Sequence, residues 1–163
     1  MNRLFRTLAL ASMMLAFVQS RAASAAEQAD SLQRTLQKRL DLVYGTIFES
    51  GDANKMVQQL LADDAVMTAS DGPKVWRGPG EALEVAQELI KTYKTIKATA
   101  VWTKAAGHDA AYQFVVFKLT PRNSDQAPPI PNVAKSLYVW VKTSKGWRIA
   151  ADHFSYTGMD TPR

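Results

Sequence analysis

No cysteine occurs anywhere in the 163 residues. Disulfides, thiolate nucleophiles and zinc–sulfur centres are therefore excluded. Only two histidines are present, which excludes a histidine-rich metal site. The single long apolar run, Leu8 to Val18, is too short for a comfortable membrane span. No cysteine follows that run, so a lipid anchor has no attachment point there. Basic runs and stripes are missing too, which leaves nucleic-acid binding without support. Internal repeats and low-complexity tracts are also absent.

What is present begins with "MNRLFRTLALASMMLAFVQSRAASAA". Arg3 and Arg6 give a basic start, an apolar stretch follows, and small residues close it. That is the secretory signal pattern. Cleavage is expected after Ala25 or Ala26, giving a signal peptide over 1–26 and one domain over 27–163. The product is expected to be exported, periplasmic or secreted, with no membrane association after cleavage. Three of the twenty basic residues (Arg3, Arg6, Arg21) lie in this leader, which has no acid. The rest carries 17 basic against 15 acidic residues, a net of +2, so the high pI is partly a property of the leader.

Past the leader, Leu32, Leu36, Leu40, Val43, Tyr44, Ile47 and Phe48 keep one face of a helix apolar. Gly51 should end it in a left-handed conformation, and Asp52 should cap a shorter second helix. "DDAVMTAS" reads as a strand and "DGPKVWRGPG" as a turn with a few extended residues. Pro79 opens a third helix with a stripe of Leu83, Ala86, Leu89, Ile90 and Tyr93. Four long strands follow: Ile96 to Ala105, Ala110 to Thr120, Val133 to Thr143 and Trp147 to Thr157. "AGHD" and "TSKG" are tight turns, and "PRNSDQAPPIPN" is a long hairpin loop.

Helices followed by an antiparallel meander is an α+β pattern. The strands are apolar on both faces, as in Tyr112 to Phe117. One face packs on the helices, and the other is expected to be covered by a second copy in a homodimer.

The order of these elements resembles the nuclear transport factor 2-like superfamily, in its SnoaL-like and ketosteroid-isomerase-like branches. The marks are "SGD" (Ser50 to Asp52), "LADDAV" (Leu61 to Val66), "WRGPGEAL" (Trp76 to Leu83) and "GWRIAADHFS" near the end. The resemblance implies a cone: a curved antiparallel sheet wrapped around the N-terminal helices, with an internal pocket. It also implies where isomerase chemistry would sit. Tyr44 matches the family's oxyanion-donor tyrosine. The base position falls on Ala69, with Asp71 two residues later. The second donor position falls around Leu137. One role of three is kept, so steroid-type isomerase activity is not expected.

The last strand sets Asp152 beside His153. Consecutive strand residues face opposite ways, so a direct dyad would need a bulge. A three-residue turn with Gly146 left-handed would pair Thr143 with Trp147, Trp140 with Ala150 and Tyr138 with Asp152. One face is then Tyr138, Trp140, Ala150, Asp152 and Phe154. The other holds Leu137, Val139, Val141, Trp147, Ile149, Ala151 and His153. A two-residue turn would instead bring Leu137 and Val139 to the side of Asp152. In members of the superfamily the side chain before the final serine, Phe154 here, lines the pocket.

The expected ligand-binding set is Tyr44, Tyr138, Trp140, Ala150, Asp152 and Phe154. Asp152 reads either as a structural carboxylate or as an acid–base, with Tyr44 either a core tyrosine or an oxyanion donor. No metal site is expected, since Asp63 and Asp64 lack further ligands. No cofactor is indicated. Three functions fit: a pocket binding a small apolar or aromatic molecule without turnover; a cofactor-independent isomerase, cyclase or hydrolase using Asp152 and Tyr44; and a dimeric assembly module with a filled cavity.

Overall fold

The computed structural model describes residues 27–70, 72–123 and 131–156. The expected signal segment, Asp71 and the middle of the Pro121–Asn132 loop lie outside these residues.

Helix α1 runs over residues 27–49. Its apolar stripe is buried, with Leu36, Leu40 and Val43 fully enclosed. Burying each such side chain contributes roughly 1.5–3 kcal/mol, far more than helix propensity supplies. Over Leu42–Ile47 the helix widens, and the Phe48 N–H reaches the Val43 carbonyl five residues back. Two adjacent pairs, Val43–Tyr44 and Ile47–Phe48, lie in the core along this stretch. Gly51 ends the helix at φ 74°. The Asp52 carboxylate accepts the Lys55 N–H at 2.8 Å and caps α2, Ala53–Leu60.

Strands β1 (Leu61–Ala69) and β2 (Val75–Arg77) follow, then α3 (Gly78–Thr92) with Pro79 in its first turn. The stripe assigned to α3 was expected to include Tyr93. The helix ends one residue earlier, and Tyr93 opens β3 (Tyr93–Ala105), where Thr95 and Ile96 favour an extended chain. Strands β4 (Ala110–Pro121), β5 (Val133–Thr143) and β6 (Gly146–Tyr156) complete the molecule. Six strands form one curved sheet in the order β2-β1-β6-β5-β4-β3. β3 to β6 form the expected antiparallel meander, while β1 joins β6 in parallel. This is the α+β cone, with helices against the inner face of the sheet.

The β5–β6 register departs from expectation twice. The turn has two residues, not three, because Thr143 pairs with Gly146. A two-residue turn alone would move Leu137 and Val139 inward. A bulge cancels it: Trp140 pairs with Ile149 and Val139 with Ala151, leaving Ala150 as the extra residue. Tyr138 therefore faces Asp152 as expected. Ile149 does not. It was assigned to the outer face, yet it is fully buried in the core, because the strand's parity changes at the bulge.

Candidate functional site

Three elements converge on the inner face of the sheet. The widened turn of α1 supplies Tyr44, β5 supplies Ser136 and Tyr138, and β6 supplies Asp152 and Phe154. They line a cavity of about 70 Å³ with Met67, Val85, Leu89, Ile96, Phe117, Leu119, Ala134 and Tyr156. The walls are apolar and aromatic, and the polar groups gather at one end. A smaller chamber of about 30 Å³ lies on the far side of Asp152, among Met56, Val57, Leu60 and Ala86. Outward, the cavity shares Val85, Leu89, Phe154 and Tyr156 with a vestibule of about 640 Å³. Trp76, Glu84, Glu88, Tyr93 and Pro131 border that mouth. Trp76 is set there by its indole N–H, which donates to Glu84, and by its ring, 5.9 Å from Phe154.

The polar end is a connected group. The Tyr44 and Tyr138 hydroxyls are 2.8 Å apart, and either can donate. Phe117 meets both rings edge-on and so fixes them. Asp152 is 8% exposed, and its Oδ1 has no hydrogen-bond partner. Burial raises its pKa to about 8, with the Ser136 hydroxyl acting in the opposite direction. The carboxyl is then mainly protonated at neutral pH and can donate a hydrogen bond. Burial raises both tyrosines as well, and proximity to Asp152 adds to the rise. The site thus offers neutral donors in an enclosed, mainly apolar setting. It suits a ligand with one acceptor atom, and Asp152 can also exchange a proton near neutral pH.

Four residues of the expected set line this cavity together: Tyr44, Tyr138, Asp152 and Phe154. Two do not. Trp140 is fully buried beyond the cavity wall, its Nε1 donating to Gln113 Oε1 at 3.0 Å. Ala150 is the bulge residue and does not reach the cavity. His153 faces away from Asp152, on the outer side of the sheet, where its Nδ1 lies 2.9 Å from Thr68 Oγ1. The two neighbours therefore do separate jobs. Leu137 also faces outward, while the adjacent Ser136 faces in. Ser136 was missed from the sequence, although its alternation with Tyr138 on β5 would have placed it. Asp71, the doubtful base, lies outside the described residues. Among those residues no cluster of potential ligands could hold a metal ion, and no helix is long and apolar enough to cross a membrane.

Comparison with known proteins places this geometry. None of the curated proteins matches the chain. Among solved structures it is similar to an NTF2-like protein with a cystatin-like fold from Novosphingobium aromaticivorans. That match has a TM-score of 0.60 at 16% identity, over 84% of this chain and 90% of the other. It is similar also to a ketosteroid isomerase-like protein from Erwinia carotovora atroseptica, with TM-score 0.58 and 20% identity over 74% and 93% of the two chains. An NTF2-like superfamily protein from Salmonella enterica gives 0.57 at 18%, over 82% and 99%. At these identities the likeness shows the fold. The family described as SnoaL-like domain matches residues 38–159, from the second half of α1 through the whole sheet, and the chain belongs to that family.

Proposed function

We propose that the chain binds a small, mainly apolar or aromatic molecule in the cone cavity, with the ligand's one hydrogen-bond acceptor against Asp152 and Tyr138. Binding alone suffices, and no turnover is required. The observation that carries this reading is the partnerless Oδ1 of Asp152 at the end of an otherwise apolar cavity. A buried polar atom without a partner costs on the order of 1–3 kcal/mol, and a ligand that pairs the carboxyl recovers that. The chamber's size restricts the inserted part to a small ring or chain end. Larger parts of the ligand would rest in the aromatic vestibule. An assembly module that has lost its pocket finds less support, because the cavity is not filled.

A second reading is favoured by one observation. The Asp152 pKa of about 8 suits proton transfer near neutral pH. In that reading Asp152 is the acid–base and Tyr44 the oxyanion donor of a cofactor-independent isomerase, cyclase or hydrolase. One experiment addresses both. Native mass spectrometry of protein taken from the cells that make it should show a retained small molecule. Asp152→Asn keeps the shape and a donor, so it should retain that molecule. Turnover of the molecule by the wild type and not by the variant selects the enzyme. A ligand-free protein that also binds no member of a panel of small aromatic ketones would overturn both readings.

A further inference from the structure

The vestibule at the mouth of the cone carries a charge pattern that acceptor binding at Asp152 leaves unused. Among the described residues that line it, the charged ones are Glu84 and Glu88, and both are acidic. They stand four residues apart on α3, so they share one face of that helix, where like charges repel. Val85 and Leu89, beside them in the chain, line the vestibule and the inner cavity alike. The rings of Trp76, Tyr93, Phe154 and Tyr156 stand around the same space. Carboxylates next to aromatic faces are the surroundings that an organic cation favours.

The chain places a cation of its own at this mouth. Lys74 Nζ lies 5.3 Å from the centre of the Trp76 ring. It also donates to Glu84 Oε1, the oxygen that accepts the Trp76 indole N–H. Ring and carboxylate thus converge on one ammonium group. Both partners of this ion pair are exposed, so it contributes little and can be exchanged. Glu88 has only a surface lysine for a counter-charge among the described residues, Lys91 at 3.6 Å.

We infer that the vestibule binds the cationic end of the ligand: an alkylammonium group that rests on Trp76 and Glu84 in place of Lys74. This rests on the acceptor end entering the cone, as proposed above. The partnerless Oδ1 of Asp152 fixes the direction of the molecule, acceptor inward and cation outward. Val85, Leu89, Phe154 and Tyr156, shared by the two spaces, receive its apolar middle. A quaternary ammonium suits the position best. It is more weakly hydrated than the compact lysine ammonium, so it loses less on leaving water for an aromatic wall.

Calorimetric titration of the full chain with two matched probes tests this. One is an aryl methyl ketone bearing a trimethylammonium group on a short alkyl chain. The other is its uncharged isostere, with tert-butyl in place of trimethylammonium. The cation should bind about five- to tenfold more tightly, the combined effect of a ring face and a carboxylate. Glu84→Gln keeps an acceptor for the indole and removes only the charge, so that preference should shrink about two- to fivefold. Lys74→Gln removes the internal competitor. It should tighten the cation by a similar factor and leave the isostere unchanged. Lys74 and Glu84 are exposed, so both variants keep the fold. Equal affinity of the two probes for the wild type would overturn the cation site and leave the cone reading standing. Failure of both probes to bind would overturn the two together. A cation preference that neither variant alters would put the charge elsewhere and overturn the site.

Discussion

Asp152 ties the proposed function to a measurable pH dependence. Its pKa is about 8 in the folded chain against 3.8 for the ordinary carboxyl. Below about pH 4 both folded and unfolded forms hold the proton. Between about 4 and 8 the unfolded chain has lost it and the folded chain has not. Stability therefore falls as pH rises through that window and levels off above it, by up to roughly 6 kcal/mol. Denaturant unfolding at pH 5 and pH 8.5 checks the sign. Asp152→Asn should flatten the profile and leave the variant more stable than wild type above pH 8. A carboxyl resonance titrating near 4 would place Asp152 in solvent contact and remove the argument. The tyrosine pair gives a second prediction. Tyr138→Phe strands the Tyr44 hydroxyl in the core, costing about 1–2 kcal/mol, whereas after Tyr44→Phe the Tyr138 hydroxyl keeps Ser136 and the loss is smaller. The double variant removes the Tyr44 hydroxyl that Tyr138→Phe strands, so its loss should be smaller than the sum of the two. Additive losses in urea unfolding would mean that the hydroxyls are not coupled.

At the level of elements, what could be read from the sequence followed from periodicity and punctuation. The stripe on α1, the glycine stop at Gly51, the Asp52 cap and the strand alternation each have a local physical cause. So does the inward position of Asp152, whereas Tyr138 faces it only because the bulge offsets the shorter turn. What could not be read was set by long-range packing. The bulge at Ala150 leaves no local mark: it shows only in the pairing of β6 with β5. It sent Ile149 into the core and Ala150 away from the cavity. Gly78 is a case where the sequence offered a residue and only the structure gave its reason. It joins β2 to α3 at φ 65°, and a Cβ there would lie 2.9 Å from the Asp63 carbonyl oxygen. Gly78→Ala should cost at least about 1–2 kcal/mol, from the left-handed backbone and the clash together. Since α3 carries Val85 and Leu89 on the cavity wall, ligand binding should weaken as well. A variant with an unchanged melting temperature would show that the turn accommodates a side chain.

For the whole molecule, the open question is what covers the outer face of the sheet. Trp102, Phe114 and Leu137 stand side by side across β3, β4 and β5, and all are exposed. The row continues through His153 to Thr68, and Tyr112, Val139, Ala151 and Val66 form the row beside it. Contiguous exposed apolar residues of this kind mark interaction surfaces. We propose that a second copy covers it, as the alternation of apolar residues on both strand faces leads one to expect. The charges around the patch give this dimer an unusual signature. Lys97, Lys104, Lys118 and Lys135 border it, and none of the outward positions of β3, β4 and β5 is acidic. Two copies meeting here bring lysines toward one another, which opposes association at low salt. Screening shortens the reach of that repulsion to about 8 Å at physiological ionic strength, so added salt should tighten the dimer. Light scattering at micromolar concentration in 20 mM and 300 mM sodium chloride measures this. Leu137→Lys adds a charge at the centre of the patch and should give monomer at both concentrations, with the fold unchanged because Leu137 points outward. A wild-type chain that stays monomeric in high salt would show that the face is covered by something other than itself. Tightening at low salt would place the contact on another surface, where opposite charges meet.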